Sequence, residues 1–309
     1  MARDIMPSLA VVGAGAVGGT LAAYLTLSGA DVTLIARGES FRRIRERGAV
    51  LRTPSAEISV NVRCTEEVEE RYDVVVYATK SYQLPSAAEM VRSTPSRSSL
   101  HVCLQNGLGN EEVLKKYFGE ERCSTGVIYI SAERPQPGVF LHHSGRRLYL
   151  GSLWPTEEKM GALGELSREI NRTPIKCNVS DEIKYWIYRK LLWNASFNPV
   201  TALLDLSIGE VAKNPHALEV VRSVAEEVLS LARAEGIEMN EDVVDKTIEA
   251  TVRMGGGATS MLSDLRAGRE LELDSILVKP VERGRERGIQ MPTLKTLLSL
   301  LQSHPRVRT

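Results

Sequence analysis

The chain has 309 residues, with 39 Lys and Arg against 39 Asp and Glu, so its formal net charge is zero. Its 43% hydrophobic and 25% charged residues are typical of a soluble globular protein and exclude disordered, collagen-like and coiled-coil classes. A length near the limit for one hydrophobic core predicts two domains. Because a neutral chain has no global basic field to collect phosphates, no nucleic-acid partner is expected.

The apolar runs are all shorter than the roughly 20 residues that a membrane span needs, so no membrane partner is expected. The segment Met1–Pro7 lacks the charged and apolar regions of a signal peptide, which predicts a cytoplasmic protein. The four cysteines have no CxxC spacing and are expected to be reduced packing residues. The five histidines have no HxxxH spacing, so no metal site is predicted.

The first half of the chain alternates β-branched runs with helical patterns, which predicts βαβ units and a parallel sheet. The predicted strands are Leu9–Val12, Asp31–Ala36, Ile58–Val62, Tyr72–Ala78 and Leu100–Leu104, and the predicted helices are Val17–Ser28, Gln83–Arg92 and Glu111–Tyr117. Three hairpin-connected strands are predicted next, at Val127–Ala132, Gly138–His143 and Arg146–Gly151. The predicted fold is therefore α/β, a Rossmann-type doubly wound sheet with an antiparallel extension.

The second half of the chain is predicted to be helical after a helix at Glu157–Ile170 and a short strand at Ile175–Cys177. Apolar residues recur at helical spacing in Ile183–Leu192, Ala217–Ala234, Asp242–Met254, Leu273–Arg287 and Leu294–Gln302. Pro280 is expected to kink its helix. The sequence therefore predicts a Rossmann-type domain over residues 1–179 and an all-helical domain over residues 180–309.

A glycine-rich motif, Gly13–Gly18 (GAGAVG), follows the first strand and opens the first helix, which is the context that a dinucleotide fingerprint requires. Gly13 allows a tight turn, Gly15 allows close approach of a pyrophosphate, and Gly18 allows close helix–strand packing. The helix N-terminus supplies unpaired N–H groups and the positive end of a dipole. Gly13, Gly15, Ala16, Val17 and Gly18 are therefore predicted to bind a dinucleotide.

The residue at the end of the second strand indicates which dinucleotide binds. Arg37 stands 19 residues beyond Gly18, where an NAD site usually has a carboxylate. An arginine offers a bidentate fork to a 2′-phosphate, which favours NADP(H) as the cofactor, with Arg42 and Arg43 as further cations. The alternative is that Arg37 is solvated and Glu39 binds the ribose.

A second group of candidate binding residues is polar. Lys80 and Asn106 each follow a predicted strand at the carboxyl edge of the sheet, where open α/β sheets bind ligands. Lys190, Asn194 and Asn198 have helical spacing and share one face if the helix continues through them. A solvated helix face is the alternative for these three residues, and a polar pocket wall opposite Lys80 and Asn106 is the favoured interpretation.

These motifs resemble those of the ketopantoate reductases (2-dehydropantoate 2-reductases) of pantothenate and coenzyme A biosynthesis. The resemblance is carried in order along nearly the whole chain by Gly13–Gly19, Thr79–Gln83, Leu104–Gly107, Lys190–Ala202, Thr259–Leu265 and Glu270–Asp274. The segments Lys190–Ala202 and Thr259–Leu265 are the most specific. The chain departs from the family at Ser263, where glutamine is frequent, and in the flexible run Gly255–Gly257.

The resemblance implies NADPH-dependent reduction of ketopantoate, a small 2-oxo acid. It implies that Lys190 donates a proton to the keto oxygen and that Glu272 anchors the substrate hydroxyl. The remaining implied roles are substrate binding by Asn106, Asn194, Asn198 and Ser260, and cofactor contact by Lys80, Gln83 and Asn106.

The sequence leaves other functions open. The same framework fits a reductase of another 2-oxo acid, and a non-catalytic NADPH sensor is a second alternative, although intact Lys190 and Glu272 argue against it. A helical scaffold would leave the glycine motif unexplained. A homodimer is an open option for assembly.

Overall fold

The computed structural model describes residues 7–93 and 100–307. Met1–Met6, on which part of the signal-peptide expectation rests, lie outside the described residues. The described chain divides into two compact units. The first, here called the sheet unit, contains the residues up to Gln105 together with Asn110–Ile183; the second, the helical unit, contains Asn106–Gly109 and the residues from Lys184 onward.

In the described residues, the sheet unit is built on ten strands. They are β1 (Leu9–Val12), β2 (Val32–Ile35), β3 (Ala49–Thr53), β4 (Ala56–Val60), β5 (Arg63–Thr65), β6 (Val74–Tyr77), β7 (Leu100–Cys103), β8 (Cys123–Gln136), β9 (Val139–Gly151) and β10 (Lys176–Val179). Their order is β4-β3-β9-β8-β7-β6-β1-β2-β5, with β10 also paired to β9. The run from β5 to β8 is parallel, and β9 pairs antiparallel with β8.

Helices cover both faces of this sheet because alternate strand residues point to opposite sides. The helices of the unit are α1 (Ala16–Leu27), α2 (Gly38–Arg47), α3 (Leu84–Arg92), α4 (Asn110–Phe118) and α5 (Glu157–Asn171). In β1, Leu9 and Val11 join the core formed with α1 and α5, whereas Ala10 and Val12 join the core formed with α3 and α4. This arrangement confirms the predicted doubly wound α/β fold with an antiparallel extension.

The predicted division of the extension into two strands after Gly138 is wrong, because β9 runs unbroken from Val139 to Gly151. Gly145, at φ +75°, lies where β9 has one more residue than β8 between two pairs of the ladder. This bulge absorbs the extra residue and lets the strand continue. The turn-like residues near Gly145 are a bulge within one strand.

Helix α2 and strands β3 and β5 of the sheet unit are absent from the prediction. Helix α2 buries only Ile44, and most of its residues are Arg or Glu, so its sequence has too few apolar residues to indicate a helix by itself. Strand β5 has three residues and a half-exposed pattern. Such elements are held by their neighbours more than by their own hydrophobic pattern.

The helical unit contains seven α-helices in the described chain and a π-helical turn. They are α6 (Ile183–Leu204), α7 (Ile208–Val211), α8 (Pro215–Ala234), α9 (Val243–Met254), α10 (Ser260–Arg266), the π-turn Asp274–Val278, α11 (Lys279–Glu286) and α12 (Pro292–Gln302). The predicted helix over Leu273–Arg287 is continuous but changes type, because the π-helical Asp274–Val278 leads directly into α11, which has Pro280 in its first turn. Helix α6 continues through Pro199, so the condition for a shared polar face is met.

The segment Asn106–Gly109 belongs to the helical unit although it directly follows β7 and Gln105. The Leu108 N–H donates to the Ser275 carbonyl at 2.8 Å. Gly107 has φ +86°, and a Cβ on it would lie 2.2 Å from the Ser275 oxygen. Glycine is thus required where this segment crosses the π-turn. In the described residues, no helix is both long enough and apolar enough to span a membrane.

Candidate active site

The glycine motif forms the turn between β1 and α1. Gly13 has φ +111° and donates its N–H to the Ile35 carbonyl at 2.9 Å. A Cβ on Gly18 would lie 2.1 Å from the Gly13 carbonyl oxygen, so α1 leaves the strand too closely for any side chain there. Packing within the protein therefore explains Gly13 and Gly18.

Gly15 is not explained by packing. It has φ −77°, which any residue adopts, and a Cβ on it would have the Ala78 carbonyl oxygen as its nearest neighbour, at 3.8 Å. It is the N-cap of α1 and supplies no side-chain cap, while Ala16 and Val17 are only half-buried. An accessible helix N-terminus with open space above a glycine fits a pyrophosphate, whose oxygens accept hydrogen bonds from such N–H groups.

Arg37 stands at the end of β2 as the N-cap of α2 and is exposed to solvent. Within the described residues its guanidinium has neither a hydrogen bond nor an ion pair, so it is available to a ligand. Arg42 is also exposed, whereas the Arg43 side chain packs beside Gly138 at the turn from β8 to β9. The structure adds Glu66, which the sequence alone does not indicate: its carboxylate accepts a hydrogen bond from the Gly38 N–H at 3.3 Å.

Lys80 and Gln83 lie in the short turn after β6, at the same carboxyl edge of the sheet as the glycine loop. The Gln83 N–H donates to the Lys80 carbonyl at 3.0 Å, and the Lys80 N–H donates to Gln83 Oε1 at 3.3 Å. These bonds define a 3₁₀ turn, Ser81–Gln83, that precedes α3. Thr79, just before it, lies against Gly13 and accepts a hydrogen bond from the Gln105 amide at 3.3 Å.

In the helical unit, Lys190, Asn194 and Asn198 lie on α6 and are here called the polar stripe. The Asn194 and Asn198 side chains are 4% and 0% exposed, so they are not on a solvated face. Asn194 Nδ2 and both amide atoms of Asn198 have no hydrogen-bond partner in the described part of the protein. Buried amides almost always have partners, and an unmatched pair on one helix indicates a place for a polar ligand or water.

The Lys190 side chain is half-buried, and protein atoms crowd its ammonium group. Burial lowers its pKa to about 8, against the opposing effect of the Glu272 carboxylate, which favours the charged form. Glu272 itself is buried and stands just before the π-turn. A lysine with this pKa exchanges its proton readily near neutral pH, as a general acid must.

The other predicted substrate residues have different exposures. Asn106 is half-buried in the segment that crosses the π-turn, and Ser260 is exposed as the first residue of α10. Ser260 is anchored through its neighbour, because the Thr259 and Thr201 hydroxyls form a buried hydrogen bond of 2.7 Å that joins α10 to α6. The helical unit thus contains Asn106, Lys190, Asn194, Asn198, Ser260 and Glu272, and the sheet unit contains the predicted dinucleotide residues other than Asn106.

A glycine-loop α/β sheet followed by a helical unit with a perturbed lysine defines a nicotinamide-dependent oxidoreductase of the two-unit type. Family models confirm this class: "Ketopantoate reductase PanE/ApbA" matches residues 9–154, and its C-terminal partner model matches residues 182–304. The chain belongs to the ketopantoate reductase family.

Individual relatives agree with this assignment. The chain is 30% identical to the 2-dehydropantoate 2-reductase of Archaeoglobus fulgidus, over 94% of this chain and 96% of the relative. The solved 2-dehydropantoate 2-reductase of Geobacter metallireducens has a TM-score of 0.91 and 30% identity, with 96% of this chain and 99% of that chain covered. A D-mandelate dehydrogenase solved with NADH and anilino(oxo)acetate has a TM-score of 0.88 and 26% identity, covering 96% and 97% of the two chains.

The contrast between Gly15 and Gly18 yields a prediction. Gly15→Ala should leave the melting temperature unchanged, because a methyl group fits there, and should weaken dinucleotide binding by about tenfold or more through loss of charge-assisted hydrogen bonds. Gly18→Ala should lower the melting temperature by several degrees through overpacking. Thermal unfolding and fluorescence titration with NADPH measure both effects. Equal dinucleotide affinity in Gly15→Ala and the parent chain would contradict the pyrophosphate assignment.

Proposed function

We propose that this protein catalyses the NADPH-dependent reduction of 2-dehydropantoate (ketopantoate) to pantoate, within pantothenate and coenzyme A biosynthesis. The observation that carries the proposal is Lys190, whose pKa is lowered to about 8 on a helix with two buried, unmatched asparagine side chains. Membership of the ketopantoate reductase family supports the substrate class. The proposal includes a cytoplasmic location, no nucleic-acid partner, and a homodimer as the assembly to test.

The chemistry follows from charge development on the substrate. A bound NADPH supplies the hydride that reaches the C2 carbon of the 2-oxo acid. Lys190 then donates its proton to the C2 oxygen as negative charge grows there, giving the alcohol. We assign Glu272 two roles: its charge favours the protonated form of Lys190, and its carboxylate accepts a hydrogen bond from the substrate hydroxyl.

The amides on α6 suit an acidic substrate. Asn194 and Asn198 present N–H₂ groups without other partners in the described residues, and such groups donate to carboxylate or carbonyl oxygens. We assign them, with Asn106 and Ser260, to substrate binding, and Asn106 also to the nicotinamide. Gly13, Gly15, Ala16, Val17, Gly18, Arg37, Lys80 and Gln83 are assigned to the dinucleotide.

A second candidate is the reduction of another 2-oxo acid. The similarity to a D-mandelate dehydrogenase over nearly the whole chain favours it, and Ser263 departs from the family pattern on α10. A steady-state assay that follows NADPH oxidation with a panel of 2-oxo acids separates the two candidates. The highest kcat/KM with ketopantoate supports the proposal; turnover confined to other 2-oxo acids replaces it with the second candidate, and no turnover with any favours a sensor.

The pKa of Lys190 predicts a pH dependence. The reduction requires the protonated lysine, so kcat/KM should be constant well below pH 8 and fall about tenfold per pH unit above it. In Glu272→Gln the falling limb should move to lower pH, because the charge that raises the pKa of Lys190 is gone. Glu270→Gln, at an exposed position two residues earlier, is the matched control and should leave the limb in place.

Lys190 and Glu272 should also differ in kinetics. Lys190→Ala should lower kcat by roughly 10²- to 10⁴-fold with little change in NADPH affinity, because it removes a positioned acid. Glu272→Ala should raise KM and lower kcat for ketopantoate, and should have a much smaller effect on a 2-oxo acid that lacks the hydroxyl. If Glu272→Ala penalises both substrates equally, the hydroxyl contact is wrong even where the reaction is right.

Arg37 should favour NADPH over NADH. Arg37→Asp removes a charge-assisted partner of the 2′-phosphate, worth about 1.5 to 3 kcal/mol, and adds a like charge, so the preference should collapse or invert. The ratio of kcat/KM for the two dinucleotides measures it. An unchanged ratio would show that Arg37 does not bind the phosphate.

A further inference from the structure

The backbone of the sheet unit brings a carboxylate to the position where Arg37 acts. Strand β5 pairs in parallel with β2, and the pairing continues past β2 because the Ala36 N–H donates to the Thr65 carbonyl at 2.9 Å. In this register Ile35 lies opposite Thr65, so Glu66 follows opposite Ala36, one residue before Arg37. Glu66 and Arg37 therefore both lie where β5 and β2 end, at the carboxyl edge at which α/β sheets bind ligands.

The Glu66 carboxylate is directed to the N-terminus of α2. It accepts a hydrogen bond from the N–H of Gly38, the first residue of that helix, at 3.3 Å. The turn that carries it is held by the Thr65 hydroxyl, which donates to the Glu67 carbonyl at 2.7 Å. A negative charge at a helix N-terminus is favourable, so the carboxylate has a physical reason to stay there.

A carboxylate at this position has opposite effects on the two dinucleotides. A 2′-phosphate beside Arg37 would compete with the Glu66 carboxylate for the same N-terminal N–H and would experience its charge. A ribose 2′-hydroxyl, in contrast, donates a hydrogen bond, and a carboxylate is its usual partner in sites for NAD. In this chain the carboxylate belongs to the residue that follows edge strand β5, and not to a residue at the end of β2.

We propose that Glu66 is a residue that determines dinucleotide specificity in this chain: it accepts a hydrogen bond from the ribose of NADH and repels the 2′-phosphate of NADPH. The NADPH preference that Arg37 creates is thereby reduced, and the protein binds both dinucleotides. This inference rests on the proposed function only in requiring that the sheet unit binds a nicotinamide dinucleotide; it does not depend on the 2-oxo acid.

The test is a fluorescence titration of the purified full chain with NADPH and with NADH, without any 2-oxo acid. Glu66→Gln keeps the shape of the side chain and removes its charge. The ratio of the two Kd values should change by about five- to tenfold in favour of NADPH, the size expected for exposed charges, with tighter NADPH and weaker NADH binding. Glu67→Gln, at the exposed neighbouring position, is the matched control and should leave the ratio unchanged.

Ionic strength provides a second readout. The effect of Glu66→Gln on NADPH binding should shrink as salt is raised from about 0.05 M to about 0.5 M, because a repulsion between exposed charges is screened. A Kd ratio that is the same in Glu66→Gln and Glu67→Gln overturns the inference. If both dinucleotides bind and the ratio changes while ketopantoate is not reduced, the substrate assignment fails and the role of Glu66 stands.

Discussion

The ammonium group of Lys190 is surrounded by protein atoms, and this burial makes its charged form costly. Burial lowers the pKa to about 8, and the Glu272 carboxylate opposes that effect. The π-turn that follows Glu272 is in turn held by Leu108, which donates to Ser275. The turn after Glu272 is thus hydrogen-bonded to a segment distant in sequence, and Gly107 is required because that segment passes so close to the turn.

The sheet unit has open space at the N-terminus of α1, where we propose that the pyrophosphate of the dinucleotide binds. Gly13 and Gly18 allow strand and helix to approach, and Gly15 keeps the space above the helix N-terminus open. The end of β2 then presents both signs of charge, Arg37 in solvent and Glu66 at the first N–H of α2. The residues that we assign to the pyrophosphate and those that we assign to the ribose therefore lie on separate elements.

Elements with a local hydrophobic or polar pattern are predictable from the sequence, whereas residue positions that depend on strand pairing are not. The strands β1, β6 and β7 are apolar runs between helices, so their parallel arrangement is predictable, and the regular spacing of the polar stripe is visible before α6 is known. Glu66 is not predictable in this way, because its place next to Arg37 follows from β5, a three-residue strand recognised only through its pairing with β2. The assignment of Asn106–Gly109 to the helical unit is not predictable either. It accompanies a main-chain hydrogen bond from Leu108 to Ser275, two residues far apart in the sequence.

The place of Asn106 in the chain also bears on the two roles proposed for it, in substrate binding and in cofactor binding. The residue directly follows Gln105, which belongs to the sheet unit and donates to Thr79 beside the glycine loop. Asn106 itself is in the helical unit with Lys190 and Glu272. A peptide bond therefore joins a residue that is hydrogen-bonded beside the glycine loop to one that belongs to the same unit as the proposed catalytic pair. This continuity along the chain is consistent with our proposal that Asn106 binds both the nicotinamide and the substrate.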